Sequence, residues 1–570
     1  MGQPLISFKD FSFRYDSQSE PTLKDINLNI YPNEKILILG PSGSGKSTFG
    51  HCLNGLIPNA FHGEYTGEAI IQEEVLPEHT IGELSYKVGT VLQDTSAQFV
   101  GLTVAEDVAF ALENDQVPYE KMHVRVSEWI DKMNLSAIQR NAPQDLSGGQ
   151  KQRVSMAGVL IDQPEILLFD EPLASLDPAS GYETMALINE MQAQLGNTII
   201  IIEHRLEDVL SQPMDRVLVF DEGRIIFDDS PDTLLKSDIL ARIGVREPLY
   251  LSAAKYAGVK VEEMKNTDSL SEINASDLKA KVQSWYQALK FDEPQKLDEI
   301  LLRLNEVNFM YPRSDRKTLD SISFEIKKGE MVSIVGTNGA GKTTLAKLIA
   351  GFLTPSAGNI YLEGDDITYD RIGYRANRIG YVMQDPNQMI SQHLIFDEVA
   401  LGLRMRHFTE EEVEKRVYEA LKICGLYSFR EWPISALSYG QKKRVTIASI
   451  LVLEPELLIL DEPTAGQDYY HYTEFMQFIR SLNRKGLTIM MITHDLQLML
   501  EYTDRTLTVN DGKILADKTP FEILTSQNLT KQSSLRPTSL YYFAERMGID
   551  NPTQFVQNFI RYERKVKANE

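Results

Sequence analysis

Short apolar runs mark the chain at wide intervals. Positions 36–39, 166–169 and 198–202 are runs of four or five residues, rich in β-branched side chains. Runs of that length predict buried parallel strands. Longer segments at 104–113, 120–134 and 149–162 predict helices. Strands alternating with helices imply an α/β core, here with a helical portion inserted between Gln93 and Ser147. The longest apolar runs, such as 199–202 and 489–492, are strand-sized. None approaches the ~20 residues of a membrane span.

Two of the runs lead into glycine-rich segments that carry chemistry. After 36–39 come Gly40, Pro41, Ser42, Gly43, Ser44, Gly45, Lys46, Ser47 and Thr48. After 332–335 come Gly336, Thr337, Asn338, Gly339, Ala340, Gly341, Lys342, Thr343 and Thr344. Both fit the phosphate-binding loop pattern. Glycines let successive backbone N–H groups turn inward around a phosphate, and the helix start adds partial positive charge. Lys46 and Lys342 would reach the β/γ-phosphates, and the Ser47 and Thr343 hydroxyls would hold Mg²⁺. One such stretch could be a plain turn between strand and helix; a second match argues against that. Two further runs end in paired acids, Asp170 with Glu171 and Asp461 with Glu462. The aspartates are expected beside Mg²⁺ and the glutamates as general bases for the attacking water.

The matches belong to a tandem duplication. Lys46 maps to Lys342, Gln93 to Gln384, Ser147 to Ser438, Asp170 to Asp461 and His204 to His494, spacings of 290 to 296 residues. The repeat extends past these motifs, since 248–259 resembles 538–549. The expected organisation is a first domain with its tail over 1–290, a joint at 291–297, and a second domain with its tail over 298–570.

Leu146, Ser147, Gly148, Gly149 and Gln150 precede a helical run, so Ser147 and nearby N–H groups can face a γ-phosphate. With this motif the chain resembles the ATP-binding-cassette ATPases, over nearly its whole length and twice. The resemblance implies two tandem P-loop domains, each with a helical subdomain and a small C-terminal tail. It implies cassettes that close head to tail, with ATP between one phosphate loop and the opposite signature, Ser147, Gly149 and Gln150 or Ser438, Gly440 and Gln441. By the same resemblance Gln93 and Gln384 sense the metal and γ-phosphate, and His204 and His494 contact the γ-phosphate. Tyr15 and Tyr311 stack on adenine, and Asp177 and Asp468 belong to loops crossing between cassettes. The second signature departs from the pattern with Tyr439 in place of a glycine. Both halves keep lysine, glutamate and histidine, so both sites are expected to hydrolyse ATP.

Leu53, Asn54, Gly55, Leu56, Ile57 and Pro58, with Gly63, Gly67 and Glu68, resemble the energy-coupling-factor importer ATPases. So do the stretches after Gln93 and Gln384, although the Pro-Asp-x-Gln element is imperfect in both. The fused arrangement is similar to two-cassette importers of thiamine or hydroxymethylpyrimidine type. That resemblance implies a membrane scaffold docking coupling helices, a separate substrate-binding membrane protein, and a location at the cytoplasmic face of the membrane. The grooves expected to take the helices are 93–115 and 384–406. Asp94, Glu106, Asp107, Asp385, Asp397 and Glu398 are candidates to receive basic residues there, or else local helix-start charges.

Composition narrows the choice. Two cysteines, Cys52 and Cys424, make no disulfide framework and suggest a reducing compartment. No secretory signal pattern is apparent at the N-terminus. The formal charge of −23 argues against a nucleic-acid-coating surface. It also weighs against a two-cassette translation factor, whose connector is usually strongly basic; residues 231–300 hold 12 acids and 10 bases. A fused sugar-importer ATPase commonly has one degenerate site, whereas both glutamates stand here. A nucleotide-gated scaffold without turnover is the remaining alternative.

Overall fold

In the computed structural model, residues 2–76, 80–174, 176–275, 277–291, 297–312, 316–465 and 467–569 are described. The positions of Ser175 and Gly466, in the loops expected to cross between cassettes, and most of the joint expected at 291–297 lie outside them. Two units emerge, one built on Met1–Gln287 and the other on Ala288–Gln467 with His471–Glu570.

In the first unit a six-stranded sheet runs in the order Arg224–Asp229, Arg216–Asp221, Lys35–Leu39, Thr198–Ile202, Ile166–Asp170, Val88–Val91. Every neighbouring pair is parallel except the first, an antiparallel hairpin at the edge. The central strands Lys35–Leu39 and Thr198–Ile202 are buried along their whole length, which is why they read as continuous apolar runs. A four-stranded antiparallel sheet, Leu23–Ile30, Ile6–Tyr15, Gly63–Ile71 and Glu74–Val75, forms a second layer. One core joins the layers, with Phe8 and Phe13 from the antiparallel sheet, Phe49 and Cys52 from the helix Lys46–Leu53, and Ile36, Ile38 and Phe220 from the parallel sheet. Each buried aromatic contributes roughly 2–3 kcal/mol of transfer free energy. The phosphate-loop helix is thereby fixed through its inward face while its N-terminus stays beyond the C-terminal end of the central strand Lys35–Leu39.

The second unit repeats the plan. Its six-stranded sheet is Ile379–Val382, Leu457–Asp461, Thr488–Ile492, Met331–Gly336, Arg505–Asn510, Lys513–Lys518. Its antiparallel sheet is Leu319–Lys327, Ile300–Phe309, Ala357–Leu362 and Asp365–Asp366. The inserted helices are Val104–Asn114, Tyr119–Lys132 and Gly148–Leu160 in the first unit, and Ile395–Arg404, Glu410–Ile423 and Tyr439–Leu451 in the second. They pack on one another within each unit. The tails repeat as well. Leu249–Tyr256 and Ser539–Arg546 are corresponding helices, and each is followed by a glycine with positive φ, Gly258 and Gly548. Among the described residues no helix is long and apolar enough to cross a membrane.

Candidate functional site

Lys35–Leu39 leads straight into the glycine loop, and the helix Lys46–Leu53 leads out of it. Gly40 has φ +149°, and a Cβ there would meet the Phe220 carbonyl oxygen at 2.2 Å. Gly336 repeats this, with φ +145° and the Val509 oxygen at 1.8 Å. Only glycine fits where the loop leaves each strand. Gly43 and Gly339 also have positive φ, and a Cβ on either would meet nothing within 4 Å. The space beside each of these glycines is open. Lys46 and Lys342 are buried. Lys46 donates to the Gly40 and Pro41 carbonyls at 2.8 Å each. Lys342 donates to Gly336 at 2.8 Å and Thr337 at 2.9 Å. Burial pulls the Lys46 ammonium down to about 8, opposed by the charge of Glu171. A cation held inside a cradle of backbone amides is a fit for phosphate.

The acid pairs stand at the ends of Ile166–Asp170 and Leu457–Asp461, each one strand removed in its sheet from the strand that feeds the glycine loop. Glu171 and Glu462 both have φ +47°, a left-handed backbone rare outside glycine. Each backbone N–H donates to the end of the next strand, Glu171 to Ile202 at 2.8 Å and Glu462 to Ile492 at 2.9 Å. Glu171 is gripped on both oxygens. Gln93 Nε2 donates to Oε2 at 2.6 Å, and His204 Nε2 lies 2.9 Å from Oε1. Burial raises the Glu171 pKa, but the His204 hydrogen bond and charge, with Lys46, bring it below its usual value. Asp170 is pushed up to about 6 by burial and by Glu171 beside it.

The second unit holds its acids differently. His494 Nε2 lies 3.1 Å from Glu462 Oε1, and the His494 backbone N–H reaches Oε2 at 3.4 Å. Burial pushes the Glu462 carboxyl up to about 8 despite Lys342. Asp461, raised by burial, accepts hydrogen bonds from the Tyr381 and Thr343 hydroxyls, Tyr381 at 2.8 Å. The first unit has Thr90 in the register of Tyr381. Ser47 with Asp170 and Gln93, and Thr343 with Asp461 and Gln384, are all-oxygen donor sets. Those suit Mg²⁺.

Several expected residues also have structural work. Tyr15 and Tyr311 hydroxyls each sit 3.1 Å from the hydroxyls of Thr48 and Thr344, which pins the rings beside the phosphate-loop helices. Ser147 and Gln150 form a reciprocal capping box at the start of Gly148–Leu160, as Ser438 and Gln441 do at Tyr439–Leu451. Asp177 caps the helix Pro178–Leu195. In the second unit the Tyr439 hydroxyl donates to the Gln384 carbonyl at 3.1 Å, tying the signature to the glutamine loop.

The six acids proposed for docking are engaged locally. Asp107 accepts the Val100 and Gly101 N–H groups, and Glu106 closes a capping box with Thr103. Glu398, buried, accepts from Ser391 and Gln392, and Asp397 pairs with Arg404 at 2.9 Å. Asp94 and Asp385 cap the turns C-terminal to them. Exposed apolar side chains lie among polar ones in these stretches: Val100 is 60% and Leu102 82% exposed near exposed Asp94 and Glu106, and Leu394 and Met405 are exposed in the second unit near exposed Arg404.

Sequence comparison decides the family. A model described as ABC transporter matches residues 23–174 and again 319–465. The chain belongs to the ABC transporter ATP-binding family. It is thus an ATPase with two cassettes. A second model, described as ATP-binding cassette cobalt transporter, matches residues 237–309. Proteins named as ABC transporter ATP-binding proteins are 56% identical in Enterococcus faecalis and 53% identical in Lactiplantibacillus plantarum, each over 100% of both chains. A solved structure of cbiO1 from Clostridium perfringens, described as part of the ABC transporter complex cbiONQ, is 34% identical. It covers 44% of this chain and 100% of its own, with TM-score 0.39.

Sequence reasoning did not single out Tyr381, Lys443, Glu203 or Arg205. Their signal is a difference between the halves. Thr90, Gln152, Thr493 and Asp495 hold the corresponding places.

Proposed function

We propose that this ABC ATPase is the energy-coupling subunit of an energy-coupling-factor type importer, peripheral to the cytoplasmic face of the membrane, and that it takes up a vitamin or vitamin precursor through its membrane partners. Its domains are read as 1–290 and 298–570 around a joint at 291–297. In each cassette the glycine loop with Lys46 or Lys342 binds the ATP phosphates, and Tyr15 or Tyr311 supports the adenine. Ser47, Asp170 and Gln93, and Thr343, Asp461 and Gln384, hold Mg²⁺, which neutralises phosphate charge when bound. Glu171 and Glu462 take the proton of the attacking water, and His204 and His494 orient them.

The observation that carries the hydrolytic part is the grip on Glu171 by Gln93 and His204 at the end of a strand beside the phosphate loop. Replacing Glu171 and Glu462 together by Gln is expected to leave ATP binding intact and remove roughly 10²-fold or more of turnover, the scale of general-base assistance. Parental turnover in that double variant would overturn the assignment.

The exposed apolar side chains Val100 and Leu102, and Leu394 and Met405, support 93–115 and 384–406 as docking grooves. Recognition there would combine these apolar side chains with the exposed acids Asp94 and Glu106, which could receive basic residues of the scaffold. A separate substrate-binding membrane protein and a scaffold complete the importer. A second substrate reading, cobalt, is favoured by the model matching 237–309. Co-expression with candidate membrane proteins, followed by uptake of labelled thiamine, hydroxymethylpyrimidine or Co²⁺ into vesicles, separates the two.

A further inference from the structure

We propose that Glu203 and Arg205, which flank His204, are positioning residues for hydrolysis in the first cassette, forming a two-rung clamp on the segment just after Glu171. The inference rests on reading Glu171 as the general base with His204 as its partner.

Glu203 directly follows the buried strand Thr198–Ile202 and is 2% exposed. Its Oε2 accepts the Leu173 N–H at 3.1 Å. Its Oε1 accepts the His204 N–H at 2.8 Å and the Arg205 N–H at 3.3 Å. Arg205 returns a second rung, Nη1 donating to the Leu173 carbonyl at 3.0 Å. Both polar groups of the Leu173 backbone are therefore held by the two residues beside His204. Leu173 lies two positions after Glu171, whose backbone is in the left-handed region. The clamp fixes the loop of the base to the loop of its partner, independently of the contact between their side chains. Burying a carboxylate is costly unless it is paired and hydrogen-bonded. Here three N–H groups and the neighbouring guanidinium charge offset part of that cost, while burial and the charge of Glu171 still hold the carboxyl above its ordinary value.

The second cassette has Thr493 and Asp495 at these places, so neither a glutamate nor a guanidinium stands where the clamp is built. The Thr493 hydroxyl accepts the Asp495 N–H at 3.0 Å. Asp495 turns forward to cap Leu496–Tyr502, accepting from Gln497 at 2.8 Å and Leu498 at 3.1 Å. These residues organise their own loop. The first cassette is thus preset by a pair of residue types that the second replaces.

The test uses the full chain with Glu462→Gln, so that turnover reports the first cassette; if that background is silent, the cassettes are coupled and the otherwise unmodified chain reports the clamp at full size. Glu203→Gln keeps an oxygen for His204 and Arg205 but turns an amide N–H₂ toward the Leu173 N–H. Arg205→Met removes the other rung, and Arg205→Lys keeps a cationic donor. Glu203→Gln and Arg205→Met are each expected to lower kcat by roughly 10- to 100-fold, the scale of small misplacements of a reacting group. KM for ATP should stay near parental, Glu203→Gln should also lower the melting temperature modestly because it disturbs a buried hydrogen-bonded group, and Arg205→Lys should recover part of the kcat loss. Parental kcat in both variants would overturn the clamp. So would a loss of kcat matched by an equal loss of ATP binding, or no recovery by Arg205→Lys at a parental melting temperature, because either is a structural role. Adding Glu171→Gln checks the underlying reading separately. If turnover survives Glu171→Gln with Glu462→Gln, the base assignment fails whatever the clamp variants do.

Discussion

Lys443 and Gln152 occupy one position of the repeat with different chemistry. Lys443 is 1% exposed, donates to the Pro463 carbonyl at 2.6 Å and lies 5.1 Å from the centre of the Tyr439 ring. Burial pulls its ammonium down to about 8 from an ordinary 10.5, opposed by the charge of Glu462. A lysine with a lowered folded pKa costs stability fully below pH 8. Between about 8 and 10.5 the unfolded chain binds more protons, so stability rises with pH through that window. Lys443→Gln is therefore expected to be more stable than the parent at pH 7, by about 1–2 kcal/mol after the lost hydrogen bond and ring contact are offset. The advantage should shrink as pH rises from 8 toward 10, read as the shift in urea midpoint against the parent. A pH-independent difference would show that the charge is not responsible. The buried thiols give a simpler expectation. Burial pushes Cys52 and Cys424 up, Cys424 to about 12, so maleimide at pH 7.5 should label neither until urea unfolds the chain. The phosphate-loop lysines and acid pairs were legible because glycine spacing and an apolar run mark their places. Lys443, Glu203 and Arg205 were not, because a single polar residue in a helix or after a strand has no spacing to mark it. Only the mismatch between halves points to them.

The helix starts of the inserted portions depend on the acids that sequence left open as docking groups or caps. Thr103→Ala removes the capping box of Val104–Asn114 and should cost about 1 kcal/mol in chemical denaturation. Glu398→Ala leaves the Ser391 and Gln392 N–H groups without their carboxylate and should cost more, roughly 1–3 kcal/mol. No loss in either variant would return these acids to the docking role. The parallel strands and inserted helices lay close to the apolar runs that announced them. The antiparallel layers did not, for a local reason. In Ile6–Tyr15 the buried residues are Ile6, Phe8, Phe11 and Phe13, and the two-residue alternation slips between Phe8 and Phe11, where Asp10 has positive φ. In Ile300–Phe309 it slips between Leu304 and Val307, beside Glu306. A bulge adds a residue and shifts the pattern.

Across the whole chain, each unit has a core of its own. Expressed separately, 1–291 and 297–570 should each melt cooperatively and bind ATP, followed by circular dichroism and nucleotide fluorescence. A fragment that stays unfolded would mean that its core needs the rest of the chain. The duplication was visible from five spacings, but the sequence could not reveal that equivalent acids are held differently, because that depends on neighbours such as Tyr381, distant along the chain. Linking two cassettes in one polypeptide has a genetic consequence. In a homodimer every codon change is inherited by both ATP sites at once. Here Thr90 and Tyr381, or Gly148 and Tyr439, are separate loci with separate fates. A mutation alters one copy while gene dosage still delivers the two in a fixed one-to-one ratio. Selection can therefore tune a leading and a following site without mixed assemblies ever forming.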